Sequence, residues 1–202
     1  MRESLKKILR GLGLHKIAVT IRNNWKNMRL RTGKVRIIRS YIERFQPQIF
    51  IETGTYRGDT LGKIKERVQK AYSIEVGNEL YKKACERFAK EIKAGNLELF
   101  LGDSRAVLPK ILAEVREPAI FWLDAHYSGA GTAKADIITP IEEELKLIFG
   151  HPIRKHIILI DDARDFIGEG DYPTPDTIQK LAESAGYSFE MKDNIFRLVP
   201  KK

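Results

Sequence analysis

From residue 49 onward the chain is written as short apolar runs separated by longer amphipathic stretches, and that alternation leaves few folds open. Ile49-Phe50-Ile51, Ala71 to Ile74, Leu97 to Leu101, Ala119 to Leu123 and Ile157 to Ile160 are too short and too rich in β-branched or aromatic residues to prefer a helix, so they read as strands. Between them Thr60 to Val68, Asn78 to Lys93, Ser104 to Val115 and Pro140 to Phe149 read as helices, with Ser104 and Thr139 placed as helix starts. Repeated βαβ units of this kind build a doubly wound, mostly parallel sheet. After a last helix near Thr177 to Ala185, Tyr187 to Met191 and Ile195 to Val199 flank a polar Lys192-Asp193-Asn194 turn, which predicts a closing antiparallel hairpin.

The 202 residues, 43% hydrophobic and 31% charged, have the composition of an ordinary soluble protein with one principal domain. No apolar run approaches the roughly 20 residues that span a bilayer, and the N-terminus lacks the apolar stretch and cleavage site of a signal peptide, so a cytoplasmic address is expected. The single Cys85 lies in a Lys- and Glu-rich helical stretch and reads as structural filling. Charge divides the chain: residues 1–44 carry 13 Lys or Arg against Glu3 and Glu43, a balance of +11, while the whole chain has +9. A basic amphipathic helical arm over 1–45 and a main domain over 46–202 are therefore expected. In the arm, Leu5, Ile8, Leu9 and Leu12, then Ile17, Ile21, Trp25 and Met28, recur at helical spacing among basic residues. Three uses of the arm stay open: packing on the domain or on a second copy in a homodimer, contact with an anionic membrane surface, and tracking of a phosphate backbone.

In open α/β sheets ligands bind outside the carboxyl ends of the strands, and here every such end is acidic: Glu52, Glu75, Asp103, Asp124, and Asp161 with Asp162. One acidic end is commonplace, since an aspartate can cap the next helix; five are harder to dismiss. The first turn reads Glu52-Thr53-Gly54-Thr55-Tyr56-Arg57-Gly58-Asp59-Thr60, with Gly54 allowing a tight turn and Gly58 a close backbone approach at a helix N-terminus. A dinucleotide fingerprint would need another glycine where Tyr56 stands. The pattern resembles instead the E/D-x-G-x-x-x-G loop of class I, Rossmann-like S-adenosylmethionine-dependent methyltransferases, whose final strand also inserts antiparallel. That resemblance covers about residues 46–200. It implies that Glu52, Thr53, Gly54, Thr55, Gly58 and Thr60 cradle the aminocarboxypropyl end of S-adenosylmethionine. It further implies that Glu75, 23 residues after Glu52, accepts the ribose hydroxyls, and that Gly102-Asp103-Ser104 forms the adenine turn.

The fourth strand runs into Asp124-Ala125-His126-Tyr127-Ser128-Gly129 and the fifth into Asp161-Asp162. Three converging carboxylates repel one another unless a cation sits among them, and oxygen-only ligands suit Mg²⁺. This arrangement is similar to the metal-dependent, macrocin-type sugar O-methyltransferases. The likeness implies Asp124, Asp161 and Asp162 as ligands, with Asp124 also at the cofactor, and a metal that acidifies an acceptor hydroxyl; His126 is the preferred general base. The 125–138 segment, with Gly129 and Gly131, reads as a loop over the site. Arg164, Asp165, Tyr172 and Pro173-Thr174-Pro175 are expected to form a polar rim suited to a small or glycosidic hydroxyl substrate. His15, His151 and His156 lie outside the strand ends. Two competing functions remain at this stage. One is a nucleic-acid-modifying methyltransferase using the arm, although Asp124-Ala125-His126-Tyr127 lacks the Pro-Pro pair of base N-methylating enzymes; the other is a membrane-peripheral, non-catalytic binding module.

Overall fold

The computed structural model describes residues 33–124 and 139–201, so the arm over 1–32, His126 and the 125–138 loop lie outside it. The chain divides into two compact units, Met1–Ile37 and Ile38–Lys202, and the expected division at 45 falls at the end of a helix (α1) over 33–45. The second unit holds the whole sheet. Its strands are β1 (Ile49–Thr53), β2 (Lys70–Glu75), β3 (Leu97–Leu101), β4 (Ala119–Leu123), β5 (Ile157–Ile160), β6 (Tyr187–Lys192) and β7 (Ile195–Pro200). They run in the order β3-β2-β1-β4-β5-β7-β6. The pairings among β1 to β5 are parallel, while β7 runs antiparallel between β5 and β6, as the hairpin predicts.

β1, β4 and β5 are buried at every position, because a central parallel sheet is covered on both faces and needs apolar runs without alternation. Ile49, Ile51, Phe121, Leu123, Ile158 and Ile160 pack with α5 (Ser104–Glu114), α6 (Ile141–Gly150) and α7 (Pro175–Ser184). Alternate positions, among them Phe50, Glu52, Ile120, Trp122 and Leu159, are buried on the opposite face. This division decides which strand-end side chains point under the edge and on which side.

Several boundaries differ from the sequence reading. The helix expected over 60–68 is α2 (Asp59–Ile64) followed by a 3-10 turn, Lys65–Arg67. The helix expected over 78–93 is broken at Phe88 into α3 (Asn78–Arg87) and α4 (Ala89–Lys93). Phe88 is buried, and a Cβ on Gly58 would lie 2.6 Å from its Cε2, so the glycine loop is shaped around this ring. The cap of α5 is Asp103 rather than Ser104, its side chain accepting from Arg105 N; α6 starts from Pro140 rather than Thr139, without a side-chain cap. Thr174 caps α7, which starts at Pro175, two residues earlier than expected.

Candidate active site

The carboxyl ends of β1, β2 and β3 are stitched together by backbone. Gly54 N and Thr55 N both donate to Ile74 O, at 2.9 and 3.0 Å, and Gly102 N donates to Glu75 O at 2.9 Å. The loop turns through left-handed backbone at Gly54 (φ 87), Tyr56 (φ 49) and Gly58 (φ 69). Glu75 holds that turn: its Oε2 accepts from Tyr56 N at 2.7 Å and its Oε1 from Gly77 N at 2.8 Å. Each carboxylate oxygen has a second lone pair, so these bonds orient Glu75 without exhausting it. Around it stand three apolar side chains that the sequence reading did not single out: Tyr56, Val76 and Leu101 are 39%, 40% and 46% exposed. Exposed apolar residues at three adjacent strand ends, beside a carboxylate, form a platform for a flat, partly polar ligand.

Glu52 is buried, its Oε2 accepting from Ser73 Oγ at 2.8 Å, while Ser73 Oγ and Thr55 Oγ1 lie 2.6 Å apart. Burial pushes the Glu52 carboxyl well above its ordinary range, and the Asp124 and Glu75 charges add to the rise. Asp103 is engaged at home: Arg105 Nη2 and Nε donate to its Oδ2 at 2.6 and 3.1 Å, and that guanidinium holds the carboxyl below its usual range. Thr60 is half-buried in the first turn of α2. Thr53, Thr55 and Ser104, three of the hydroxyl residues assigned to the cofactor, are buried.

At β4 and β5 the backbone pairing continues past the strands, with Asp124 N on Thr53 O and Asp161 N on Leu123 O, both at 3.0 Å. This brings one carboxylate oxygen from each of Asp124, Asp161 and Asp162 within 4.8 Å of the others. Asp162 has left-handed backbone (φ 50), and its N–H donates to Asp161 Oδ1 at 2.7 Å. The hairpin turn supplies an unforeseen clamp: Asn194 Nδ2 donates to Asp162 Oδ1 at 2.9 Å, and Asn194 Oδ1 accepts from Arg164 N at 2.8 Å. Register could have found it, since Ile160 pairs with Phe196 antiparallel, which sets residue 194 opposite 162. Tyr172 stands at this end as the sequence suggested. Its hydroxyl pKa is raised first by burial, then by the Asp165, Asp162 and Asp124 charges.

A cavity of about 10 Å³ beneath this edge, room for one water, is lined by Thr139, Glu144, Asp161 and Tyr172 among others. Glu144 was missed by the sequence reading. It is buried on α6, and burial raises its carboxyl to about 7, tempered by the Ser104 and Thr53 hydroxyls. Spacing could have found it, because Glu144 lies three residues after Ile141 and four before Ile148, on the helix's apolar stripe.

No protein-family model matches the sequence, and no curated protein sequence does. Solved structures match through the fold. The O-methyltransferase TomG from Streptomyces achromogenes, in complex with S-adenosylmethionine, is 14% identical with a TM-score of 0.60, over 84% of this chain and 80% of that one. The S-adenosylhomocysteine-bound Podospora anserina methyltransferase PaMTH1 is 16% identical with a TM-score of 0.56, over 82% and 76%. A methyltransferase from Geobacter sulfurreducens is 13% identical with a TM-score of 0.58, over 83% and 78%. The chain has the class I methyltransferase fold. Among the described residues no helix is long and apolar enough to cross a membrane.

Proposed function

We propose that this chain is an S-adenosylmethionine-dependent methyltransferase that methylates a hydroxyl of a small or glycosidic acceptor with the help of Mg²⁺. The observation that carries this reading is the join of two half-sites on one sheet edge: the stitched, apolar-rimmed β1–β3 ends and the three-carboxylate cluster beside them. The residues present suit both groups. A buried Glu52 with a raised pKa welcomes a ligand ammonium, and Asp124, Asp161 and Asp162 offer only oxygen, the donor set of Mg²⁺. Macrocin-type sugar O-methyltransferases remain the model for the acceptor side.

When bound, S-adenosylmethionine supplies an electrophilic methyl and Mg²⁺ supplies charge that acidifies the acceptor hydroxyl. Glu75 would accept from the ribose hydroxyls with its remaining lone pairs, Tyr56, Val76 and Leu101 would cover the nucleoside, and Asp103 would meet the adenine amine. Glu52 would face the ammonium, and Asp124 would serve both the cofactor end and the metal. His126 would take the proton of the acceptor hydroxyl whose oxygen receives the methyl. Tyr172 closes the acceptor side.

Calorimetric titration with S-adenosylhomocysteine, with and without Mg²⁺, tests this. Micromolar binding that Glu75→Ala weakens by at least about tenfold, the loss of one bidentate contact, is expected. A tighter titration with Mg²⁺ is expected to vanish in Asp161→Asn. Absence of binding under every condition leaves only the fold.

A further inference from the structure

Strand β7 carries one charged side chain in an otherwise apolar run, Arg197 between Phe196 and Leu198, and that side chain is buried. A guanidinium has five donors to satisfy, and Arg197 lacks a partner at Nε among the described residues. The β6–β7 ladder has no need of it, since backbone pairing runs unbroken from Tyr187 with Pro200 to Lys192 with Ile195. What the guanidinium adds lies at the turn. Its Nη2 donates to Asp193 Oδ2 at 2.6 Å and to Lys192 O at 3.4 Å, while Nη1 donates to Glu190 Oε2 at 3.4 Å. The next turn residue, Asn194, grips three consecutive residues after β5: its side chain donates to Asp162 Oδ1 and accepts from Arg164 N, and its carbonyl accepts from Ala163 N at 3.0 Å. Asp162 has left-handed backbone and lies outside any helix or strand, so contacts of this kind set where its carboxylate points.

We propose that Arg197 is a positioning residue for the carboxylate cluster: by anchoring Asp193 it fixes the turn whose Asn194 holds the Asp162 carboxylate beside Asp124 and Asp161. The proposal rests on reading those three carboxylates as the Mg²⁺ site. A guanidinium suits the task because its planar fork holds a carboxylate and a carbonyl at once, where an ammonium on a flexible stem is a single point charge. Glu190 supplies the internal comparison. It meets the same guanidinium from within β6, so a role confined to joining the two strands runs through Glu190, and a role in positioning runs through Asp193. Both carboxylates are more than half exposed, at 53% and 56%, so neither side chain is core filling.

The test compares wild type, Arg197→Met, Asp193→Gly, the double variant and Glu190→Gln in the full chain. Two quantities are measured: Mg²⁺ affinity by direct titration, and metal-free amide exchange at Ala163 and Arg164, each divided by exchange at Leu159 in the same protein to remove any general loss of stability. Arg197→Met and Asp193→Gly are each expected to weaken Mg²⁺ binding by about threefold, less than the tenfold typical of a ligand's direct supporting partner, and to raise the exchange ratio. Glu190→Gln should match wild type in both. The double variant should be no weaker than Arg197→Met alone, because both changes break one link. Equal exchange ratios in Asp193→Gly and Glu190→Gln would overturn the proposal, and that comparison stands even where Arg197→Met does not fold. Full additivity in the double variant would overturn it too, since the turn residue would then act without Arg197. Should wild type bind no Mg²⁺, the metal reading fails, while the exchange ratios still decide whether Arg197 positions Asp162.

Discussion

At Gly58 a single hydrogen atom in place of a side chain serves two purposes. The residue has φ +69, and a Cβ there would come 2.6 Å from Phe88 Cε2. Gly62, one helical turn later, differs in both respects: it is helical, and its nearest neighbour would be Arg87 Nη2 at 3.2 Å, the end of a flexible side chain. Gly58→Ala is therefore expected to cost about 2–4 kcal/mol, combining left-handed strain with displacement of a buried ring. Gly62→Ala should be neutral or stabilising by up to about 1 kcal/mol, since alanine favours the helix. Urea unfolding of the two variants separates them, and an equal cost at both positions would contradict the packing account. The sequence singled out Gly58 for backbone approach to a ligand; that Phe88, 30 residues away, also leaves no room for a side chain there could not be read from local spacing.

At the scale of elements, the C-terminal hairpin does more than close the sheet. Its two-residue turn, Asp193 (φ 54) and Asn194 (φ 64), has the left-handed pair of a type I′ turn. The same Asn194 holds Asp162 Oδ1 and Arg164 N, so a turn between β6 and β7 orients a carboxylate at the end of β5. Asn194→Gly preserves the backbone and removes only this clamp. On the proposed Mg²⁺ site it is expected to weaken metal affinity about tenfold, as loss of a ligand's supporting hydrogen bond commonly does, while leaving unfolding within about 1 kcal/mol of wild type. Metal titration and urea unfolding on the same protein check both halves. Strand identity was legible because each buried strand is one uninterrupted apolar run. Helix ends were less so: the break at Phe88 follows from its burial beneath Gly58, and the start of α6 at Pro140 owes nothing to a side-chain cap. The acidic strand ends were likewise visible as a set. Asn194 and Glu144 were not, because one acts across a register set by another hairpin strand and the other from a helix packed beneath the strand ends.

The two edges of the molecule respond to pH in opposite senses. At the amino ends of β4 and β5, Ala119 N donates to His156 Nδ1 at 3.0 Å, His156 Nε2 lies 2.9 Å from His151 Nδ1, and His151 Nε2 lies 3.1 Å from Leu112 O. The chain of bonds closes with one proton on each ring, so a second proton on either breaks it, and burial lowers His156 to about 4 from 6.5. Between those values the unfolded chain binds a proton that the folded one refuses, so this bridge stabilises above 6.5 and its contribution is lost as pH falls toward 4. Glu144 does the reverse: raised from 4.5 to about 7, it keeps a proton that the unfolded chain releases, so its contribution is complete below 4.5 and lost as pH rises toward 7. From 4.5 to 6.5 these two slopes oppose each other, and Glu52, also raised, pulls with Glu144. Removing Glu144's proton leaves the histidine bridge less opposed, so the stability of Glu144→Gln relative to wild type should climb by about 1.4 kcal/mol per pH unit across that window. Chemical unfolding of both proteins at pH 5, 5.5, 6 and 6.5 measures the difference directly. A constant offset would mean that the Glu144 carboxyl is already ionised in the fold across this window, as it is in the unfolded chain.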